Sequence, residues 1–306
     1  MHPLRFSIVV ACYNQRHFVQ AAVESAISQP HPSKEVIVVD DGSSDGTPEV
    51  LDAFGDSIRL VKFVKNQGAL ATRNHGSSLA TGEYLVFLDG DDVLMPWTLQ
   101  VYERLIAGLR PKIILGQRFY FQDEVPRAAA ADFPSKIDFV DYPCWFQKDR
   151  MVAFGASNTV VHRKTFWDAG GWSPEIFHLD VTDLMLKLGL AGKTLVILAP
   201  PTVWYRKHSA AITYDVAGML RCAQVLLQKE RAGEYPGGRK HLFARSTCLG
   251  GPMWFWIRRA VGAGLCVEAM KLAGSAWFTI LAAIVRRFIA LGRGGRPVQS
   301  LELLHD

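Results

Sequence analysis

Aspartates and small residues gather at three places in the first 92 residues of this 306-residue chain. They are Ala11-Cys12-Tyr13-Asn14, Asp40-Asp41-Gly42-Ser43-Ser44-Asp45-Gly46 and Asp89-Gly90-Asp91-Asp92, each directly after an apolar run. In an open parallel sheet ligands bind where the strands end, so the three segments are expected to share one crevice. Carboxylates crowded there stay ionised only beside a cation or hydrogen-bond donors. A hard divalent ion bridging carboxylates and a diphosphate meets that need. Turn and capping roles compete with this reading, most of all at Asp45. They compete least at Asp91, because Asp89, Asp91 and Asp92 follow Tyr84-Leu85-Val86-Phe87-Leu88, apolar enough for a buried central strand.

The elements that must position these residues alternate. Short β-branched runs predict strands over 6–11, 35–40, 59–64, 84–88 and 112–117, and helical periodicity predicts helices over 17–28, 47–55, 69–80 and 97–109. This βαβα order means an α/β fold with a mostly parallel central sheet. Thr47-Pro48 reads as an N-cap followed by proline at the first helical position. Residues 120–155 carry no regular pattern, and a long irregular stretch beside such a crevice is a candidate binding loop. A strand over 158–162, a helix near 164–168, a helix over 179–190 and strands near 195–199 and 202–206 follow. Beyond 213 the pattern is helical throughout.

Two nucleotide-binding designs fail on particular residues. A dinucleotide fold needs a Gly-x-Gly-x-x-Gly turn after its first strand, where this chain has Tyr13 and Asn14. No Gly-Lys-Ser/Thr phosphate loop is present either. A sugar nucleotidyltransferase would carry a glycine-rich loop with Lys or Arg after that same strand, and none is there.

Composition is ordinary for a globular protein, at 49% apolar and 21% charged residues. Five scattered cysteines without a Cys-x-x-Cys pair suit a reducing compartment. The N-terminus enters a strand pattern without the layout of a signal peptide, so a cytoplasmic location is expected. Charge is uneven: between residues 251 and 297, Arg258, Arg259, Lys271, Arg286, Arg287, Arg293 and Arg296 stand against Glu268 alone, although the whole chain carries only +5. The main domain is therefore close to neutral, which argues against a nucleic-acid partner.

Four segments in this order, Ser7-Ile8-Val9-Val10-Ala11-Cys12-Tyr13-Asn14, Val38 to Thr47, Arg73-Asn74-x-Gly76 and Phe87 to Asp92, resemble the family 2 glycosyltransferases of the GT-A fold. The resemblance covers about residues 5–210 and implies a nucleotide-diphospho-sugar transferase. It also implies inversion at the anomeric carbon, a nucleotide-sugar donor (UDP-linked first of all) and Mg²⁺ or Mn²⁺. By it, Ala11 and Tyr13 line the nucleobase pocket and Asp41 accepts a hydrogen bond from the base. Arg73 closes the pocket over base or phosphate, Asp89 meets the ribose beside Gly90, Asp91 ligates the metal and Asp92 supports that site. An aromatic face with a carboxylate opposite an N–H suits a uracil edge, although a lone tyrosine is more often core packing.

Sugar transfer also needs a base for the acceptor hydroxyl. The family places it in a Glu-Asp pair at a helix start after Gly-Gly-Phe/Trp. Here Gly170-Gly171-Trp172 is present, but alignment puts Asp180 at the Glu position and Val181 at the usual Asp. Asp180 is the first candidate base and Asp183, three residues on along one helix face, the second. Two aspartates could also simply favour a helix N-terminus. Tyr205-Arg206-Lys207-His208 resembles the family's Tyr-Arg-x-His segment, which would bring His208 to the metal or diphosphate. The departure at Val181 leaves a catalytically degenerate nucleotide-sugar binder as the alternative.

Residues 1–212 are thus expected to form the catalytic domain, and 213–306 a basic helical extension. Within it Glu268, Lys271, Ser275, Thr279, Arg286 and Arg293 form a narrow polar stripe on an apolar helix. The uncharged run Leu272–Val285 falls short of the ~20 residues that span a bilayer. Two readings stand: a helix lying in an anionic membrane surface at the inner face of the cell membrane, or a cap on the catalytic domain. The first suits a lipid-linked or membrane-proximal glycan acceptor in cell-surface polysaccharide synthesis.

Overall fold

The computed structural model describes residues 4–122, 124–125, 134–150, 152, 155–207, 215–293 and 295–303. β1 (Phe6–Cys12) is buried at every position and β4 (Tyr84–Asp89) at all but its last, so both run through the middle of the sheet as their apolar sequences predict. β2 (Lys34–Asp40) lies parallel beside β1, and β3 (Arg59–Lys62) parallel beside β2. β4 flanks β1 on its other side, also parallel. The crossovers are α1 (Val19–Ile27), α2 (Thr47–Asp52) and α3 (Ala69–Leu79). α3 packs tightly because Gly76 has no Cβ; one would stand 3.2 Å from Val39 Cγ2 and closer still to Val9.

Beyond β4 the sheet is mixed rather than parallel. After the short β5 (Val93–Leu94) and α4 (Thr98–Leu109) come β6 (Ile113–Phe121), β7 (Lys136–Tyr142), β8 (Thr159–His162) and β9 (Thr194–Arg206). With β10 (Gln299–Glu302) from the C-terminal region, the order is β10-β7-β9-β6-β8-β4-β1-β2-β3, with β5 on β9. β8 is antiparallel to both β4 and β6, β7 is antiparallel to β9, and β6 with β9 is parallel. α5 (Arg163–Asp168) and α6 (Asp180–Lys187) lie between β8 and β9.

Three sequence expectations change. The strands near 195–199 and 202–206 are one 13-residue strand that runs through Pro200 and Pro201, where its register against β6 shifts. Prolines lack an N–H, and the irregularity absorbs the missing bonds. β7 lies within the stretch of 120–155 that showed no pattern. The tail is not helical throughout: after α7 (Val216–Ala232), α8 (Leu242–Gly262) and α9 (Cys266–Arg293), β10 (Gln299–Glu302) pairs with β7 as an edge strand of the catalytic sheet. The helices and the sheet also share one buried cluster, in which Leu249, Met253, Trp256 and Leu272 join Trp145, Phe146 and Met185.

α9 lies against α8 and α7 with Thr279 and Arg286 of its polar stripe turned inward, while Glu268 and Lys271 are exposed. Thr279 is buried, and Arg286 donates to Phe146 O at 2.8 Å and to Thr247 Oγ1 at 2.7 Å. The outward flank is apolar, with Trp277 63% and Phe288 69% exposed. The whole segment Cys266–Ile289 has a mean hydropathy of 1.5 and is, by length and composition, long and apolar enough to cross a membrane. Counting only the uncharged run misses this because Arg286 interrupts it while pointing into the protein.

Candidate active site

The crevice opens where β1, β2 and β4 end, and its two acidic clusters are satisfied differently. In the β2 cluster the donors are backbone and hydroxyl groups. Asp41 accepts from the N–H of Gln67 at 2.7 Å and of Gly68 at 2.8 Å, so it fixes the loop leading into α3. Asp40 takes the Ser43 hydroxyl. Asp45 accepts from Arg16 N–H at 3.0 Å and from the hydroxyl of Thr47 at 2.6 Å. Asp45 therefore binds the start of α2, whose N-cap is Gly46 in the left-handed region, one residue earlier than the predicted Thr47.

At the end of β4 the carboxylates face one another. One ligand oxygen from each of Asp89, Asp91 and Asp92 lies within 4.8 Å of the others. Asp92 is buried and accepts from the Ser157 hydroxyl at 2.6 Å and the Arg206 N–H at 2.9 Å. Burial first, then the charges of Asp91 and Asp89, push its carboxyl well above the usual carboxylate range. Three hard oxygen donors in one space, two of them opposing the ionisation of Asp92, suit a divalent cation of the Mg²⁺ or Mn²⁺ kind. Gly90 is required by packing, since a Cβ would lie 2.7 Å from Cys12 Cβ and closer still to Gln15 Oε1. Ala11 is buried at the end of β1, while Tyr13 is 45% exposed at the rim.

Arg73 ties the crevice to α6. Its guanidinium, 7% exposed, donates from Nη2 to Asp89 at 2.6 Å and from Nη1 to Asp180 at 2.8 Å. It sits 5.4 Å from the centroid of Trp172. Burial opposes its charge, but Asp89 and Asp180 outweigh burial and hold it protonated. Asp180 in turn has its pKa raised, first by burial, with Arg73 pulling the other way. The Gly-Gly-Trp turn is seated by Asn74, which donates from Nδ2 to Trp172 O and accepts from Trp172 N–H, both at 2.9 Å. Gly171 at φ +65 makes that turn possible.

The two candidate bases part company here. Asp180 opens α6 beside Arg73, whereas Asp183 is fully buried and points toward the tail. Asp183 accepts from the Ser173 hydroxyl at 2.6 Å and the Tyr235 hydroxyl at 2.7 Å, with Lys187 Nζ at 3.4 Å and Lys229 Nζ at 3.9 Å. An acceptor hydroxyl has no approach to it. Val181, at the family's usual aspartate, is buried in the apolar core. Removing one partner from a buried ionic network costs about 3–5 kcal/mol. Asp183→Ala is therefore expected to lower the melting temperature by several degrees, and a melt unchanged from wild type would refute its anchoring role.

His208 lies outside the described residues. Ser157 escaped the sequence reading, since it follows an irregular stretch and meets Asp92 only across 65 residues of chain. It also accepts the Asp89 N–H at 3.0 Å, so one hydroxyl aligns two of the three acids.

The geometry defines an α/β crevice of the GT-A kind, with three clustered carboxylates at its centre. Residues 7–167 match the family described as Glycosyl transferase family 2, and the chain belongs to that family. It is 29% identical over 179 residues to a cholesterol galactosyltransferase of Borreliella burgdorferi, a match over 55% of this chain and 48% of that protein. The chain thus spans about half the length of that curated relative. Among solved structures it resembles S. aureus TarS residues 1–349 in complex with UDP-GlcNAc (TM-score 0.60, 16% identity, 95% of this chain and 93% of that one). It also resembles the mannosyltransferase PcManGT of Pyrobaculum calidifontis in complex with GDP-Man and Mn²⁺ (TM-score 0.54, 18% identity, 94% and 88%). At these identities the two structures speak for the fold.

Proposed function

We propose that this chain transfers a sugar, with inversion, from a nucleotide-diphosphate donor to a glycan or lipid-linked acceptor at a membrane surface in cell-surface glycan synthesis. The observation that carries the reading is the chain of contacts from the acid cluster through Asp89 and Arg73 to Asp180. It joins a diphosphate-binding centre to a carboxylate suited to accept a proton. A UDP-sugar is the first donor to test.

In this reading Tyr13 and Ala11 face the nucleobase, and Asp41 holds the loop that closes over it. Asp89 and Gly90 lie beside the ribose. Asp91, supported by Asp92 and Ser157, would hold Mg²⁺ or Mn²⁺, which neutralises the leaving diphosphate. Asp180 takes the proton of the acceptor hydroxyl as that oxygen attacks the anomeric carbon from the side opposite the diphosphate. Arg73, between Asp89 and Asp180, opposes the effect of burial on the Asp180 carboxyl. A panel of nucleotide sugars tests the donor class: the true donor should raise the melting temperature with Mn²⁺ present and not after chelation. No stabilisation by any UDP- or GDP-sugar would refute it.

Membrane attachment rests on α8 and α9. A monomer seldom exposes a continuous apolar face as large as Trp254, Phe255, Trp277, Leu281, Ile284 and Phe288 provide together. Arg258, Arg259, Lys271 and Arg287 are exposed beside it. Apolar insertion and about 1 kcal/mol per basic residue near an anionic surface act together. The relative that acts on cholesterol is consistent with a membrane lipid as acceptor. Because α8 and α9 cover the core, the test uses surface changes instead of truncation. The full chain should float with anionic vesicles at low salt, and Trp277→Gln with Phe288→Gln should abolish flotation without lowering the melting temperature. A wild-type chain that ignores such vesicles would return the acceptor to the aqueous phase.

A further inference from the structure

α6 is only eight residues long, and its N-cap, Leu179, makes no side-chain capping bond. A helix of two turns is not stable by itself, so the place of Asp180 at its first position is set by what grips the helix from outside. Asp180, Asp183 and Lys187 recur at steps of three and four and line one stripe of α6. The Asp180 end meets Arg73. The far end, at Lys187, lies about 10 Å further along the axis.

Lys187 Nζ donates to Gly171 O and, at 2.9 Å, to the Ser173 hydroxyl, and it lies 3.4 Å from Asp183. It thereby ties the last residue of α6 to the Gly170-Gly171-Trp172 turn. That turn is seated on Asn74 through Trp172, and Asn74 is the neighbour of Arg73 on α3. The contacts close a ring: from Arg73 to Asp180, along α6 to Lys187, through Gly171 and Trp172 to Asn74, and back to Arg73. A helix tied at its first residue and its last cannot slide or turn against α3. The Asp180 carboxylate is then fixed relative to Asp89, the other partner of Arg73.

Tyr235 braces the middle of the same stripe. It is 2% exposed, stands between α7 and α8, and donates its hydroxyl to Asp183 at 2.7 Å. Burial first, then the Asp183 charge, push its phenol up and keep it a donor. α7 also grips the loop ahead of α6, since Lys229 Nζ lies 2.8 Å from Glu175. Among the described residues, no hydrogen bond of Lys187 or Tyr235 goes to Asp180, Arg73 or the acid cluster.

We propose that Lys187 and Tyr235 are positioning residues for the sugar transfer: they hold α6 so that Asp180 stands where the acceptor hydroxyl needs its base, and they act on turnover through Asp180. This rests on the transferase reading above and deepens it. A displacement of about 1 Å at a reacting group costs as much as about a hundredfold in rate, so a small loss of grip is measurable.

The full chain is assayed with Mn²⁺ for release of nucleoside diphosphate from UDP-glucose, UDP-galactose, UDP-N-acetylglucosamine and GDP-mannose, and the fastest of these is carried forward. Lys187→Met should lower kcat about ten- to a hundredfold and Tyr235→Phe by less, with KM for the sugar nucleotide and calorimetric affinity for the matching nucleoside diphosphate within about threefold of wild type. Lys187→Arg, which keeps the charge, should recover part of the loss. On an Asp180→Asn background neither change should lower turnover by more than about threefold again, because the residue they serve is already gone. Tyr235→Phe removes one oxygen and leaves Asp183 with Ser173 and Lys187, so it carries the test even if Lys187→Met does not fold. An unchanged kcat in Tyr235→Phe would overturn the proposal. So would a loss that appears in KM or nucleotide affinity instead, or one that multiplies in full onto Asp180→Asn; in each case the wild-type activity leaves the transferase reading standing. A wild-type chain that releases nothing from any of the four overturns the transferase reading, and this inference with it.

Discussion

Replacing Asp91 by alanine is expected to abolish metal-dependent binding of a nucleoside diphosphate while the chain still folds. The three carboxylate oxygens of Asp89, Asp91 and Asp92 share one space, but their surroundings differ. Asp89 is paired with Arg73, and Asp92 is committed to Ser157 and Arg206. In the proposed site Asp91, which is only half-buried, is the carboxylate that would bridge an ion and a diphosphate. Supporting residues around a metal typically contribute 10–100-fold to affinity. Ser157→Ala should therefore weaken Mn²⁺-dependent UDP binding by about that factor, and Asp91→Ala by more. Equal UDP affinity in wild type and Asp91→Ala, measured by calorimetry with Mn²⁺ present, would remove Asp91 from the metal site.

Asp180→Asn is expected to lower turnover by about 10²–10⁴, the usual contribution of a general base, with donor affinity little changed. Asparagine keeps the shape of the side chain and a hydrogen bond to Arg73, so the donor pocket should persist. The pH dependence follows from the direction of the shift. A base works when ionised, burial raises the Asp180 pKa, and turnover should fall as the solution is acidified through a value above that of an ordinary aspartate. That acid limb should vanish in Asp180→Asn. If Asp183→Asn lost turnover to the same extent at unchanged stability and Asp180→Asn did not, the proton would go elsewhere.

The parts of this protein that can be read from sequence are those whose causes are local. Tyr84 to Leu88 had to be a central strand because no other element buries five consecutive apolar residues before three acids. Gly76 and Gly90 mark places where a helix or a strand end comes too close for a Cβ, and Gly171 a turn only glycine forms without strain. Contacts made across the chain are what sequence hides. Asn74 seats Trp172 over 98 positions and Arg206 steadies Asp92 over 114, neither with a neighbouring signal. β7 pairs with β9 and β10 with β7, each across a long stretch of chain. Pro200 and Pro201 imitated a break in β9 because the compensating register shift lies in β6.

The tail shows a subtler limit. Periodicity located the polar stripe on α9 but could not say which way it faced. Solvent is the usual neighbour of a polar stripe, yet Thr279 is buried, Arg286 serves Thr247 of α8 and the carbonyl of Phe146, and the apolar flank is left outside. The same contacts make Asp183 an anchor. Tyr235, between α7 and α8, donates to it one turn of helix after Asp180, so the tail helps hold the segment that carries the candidate base.

The central claim is that one crevice holds a metal, a nucleotide sugar and a base. It is tested most directly by following release of free nucleoside diphosphate from UDP- and GDP-sugars by the purified full chain. The account predicts release from at least one of them that requires Mg²⁺ or Mn²⁺, stops on chelation, is lost in Asp91→Ala and is greatly slowed in Asp180→Asn. Release that continues undiminished in EDTA, or in Asp91→Ala, would contradict it.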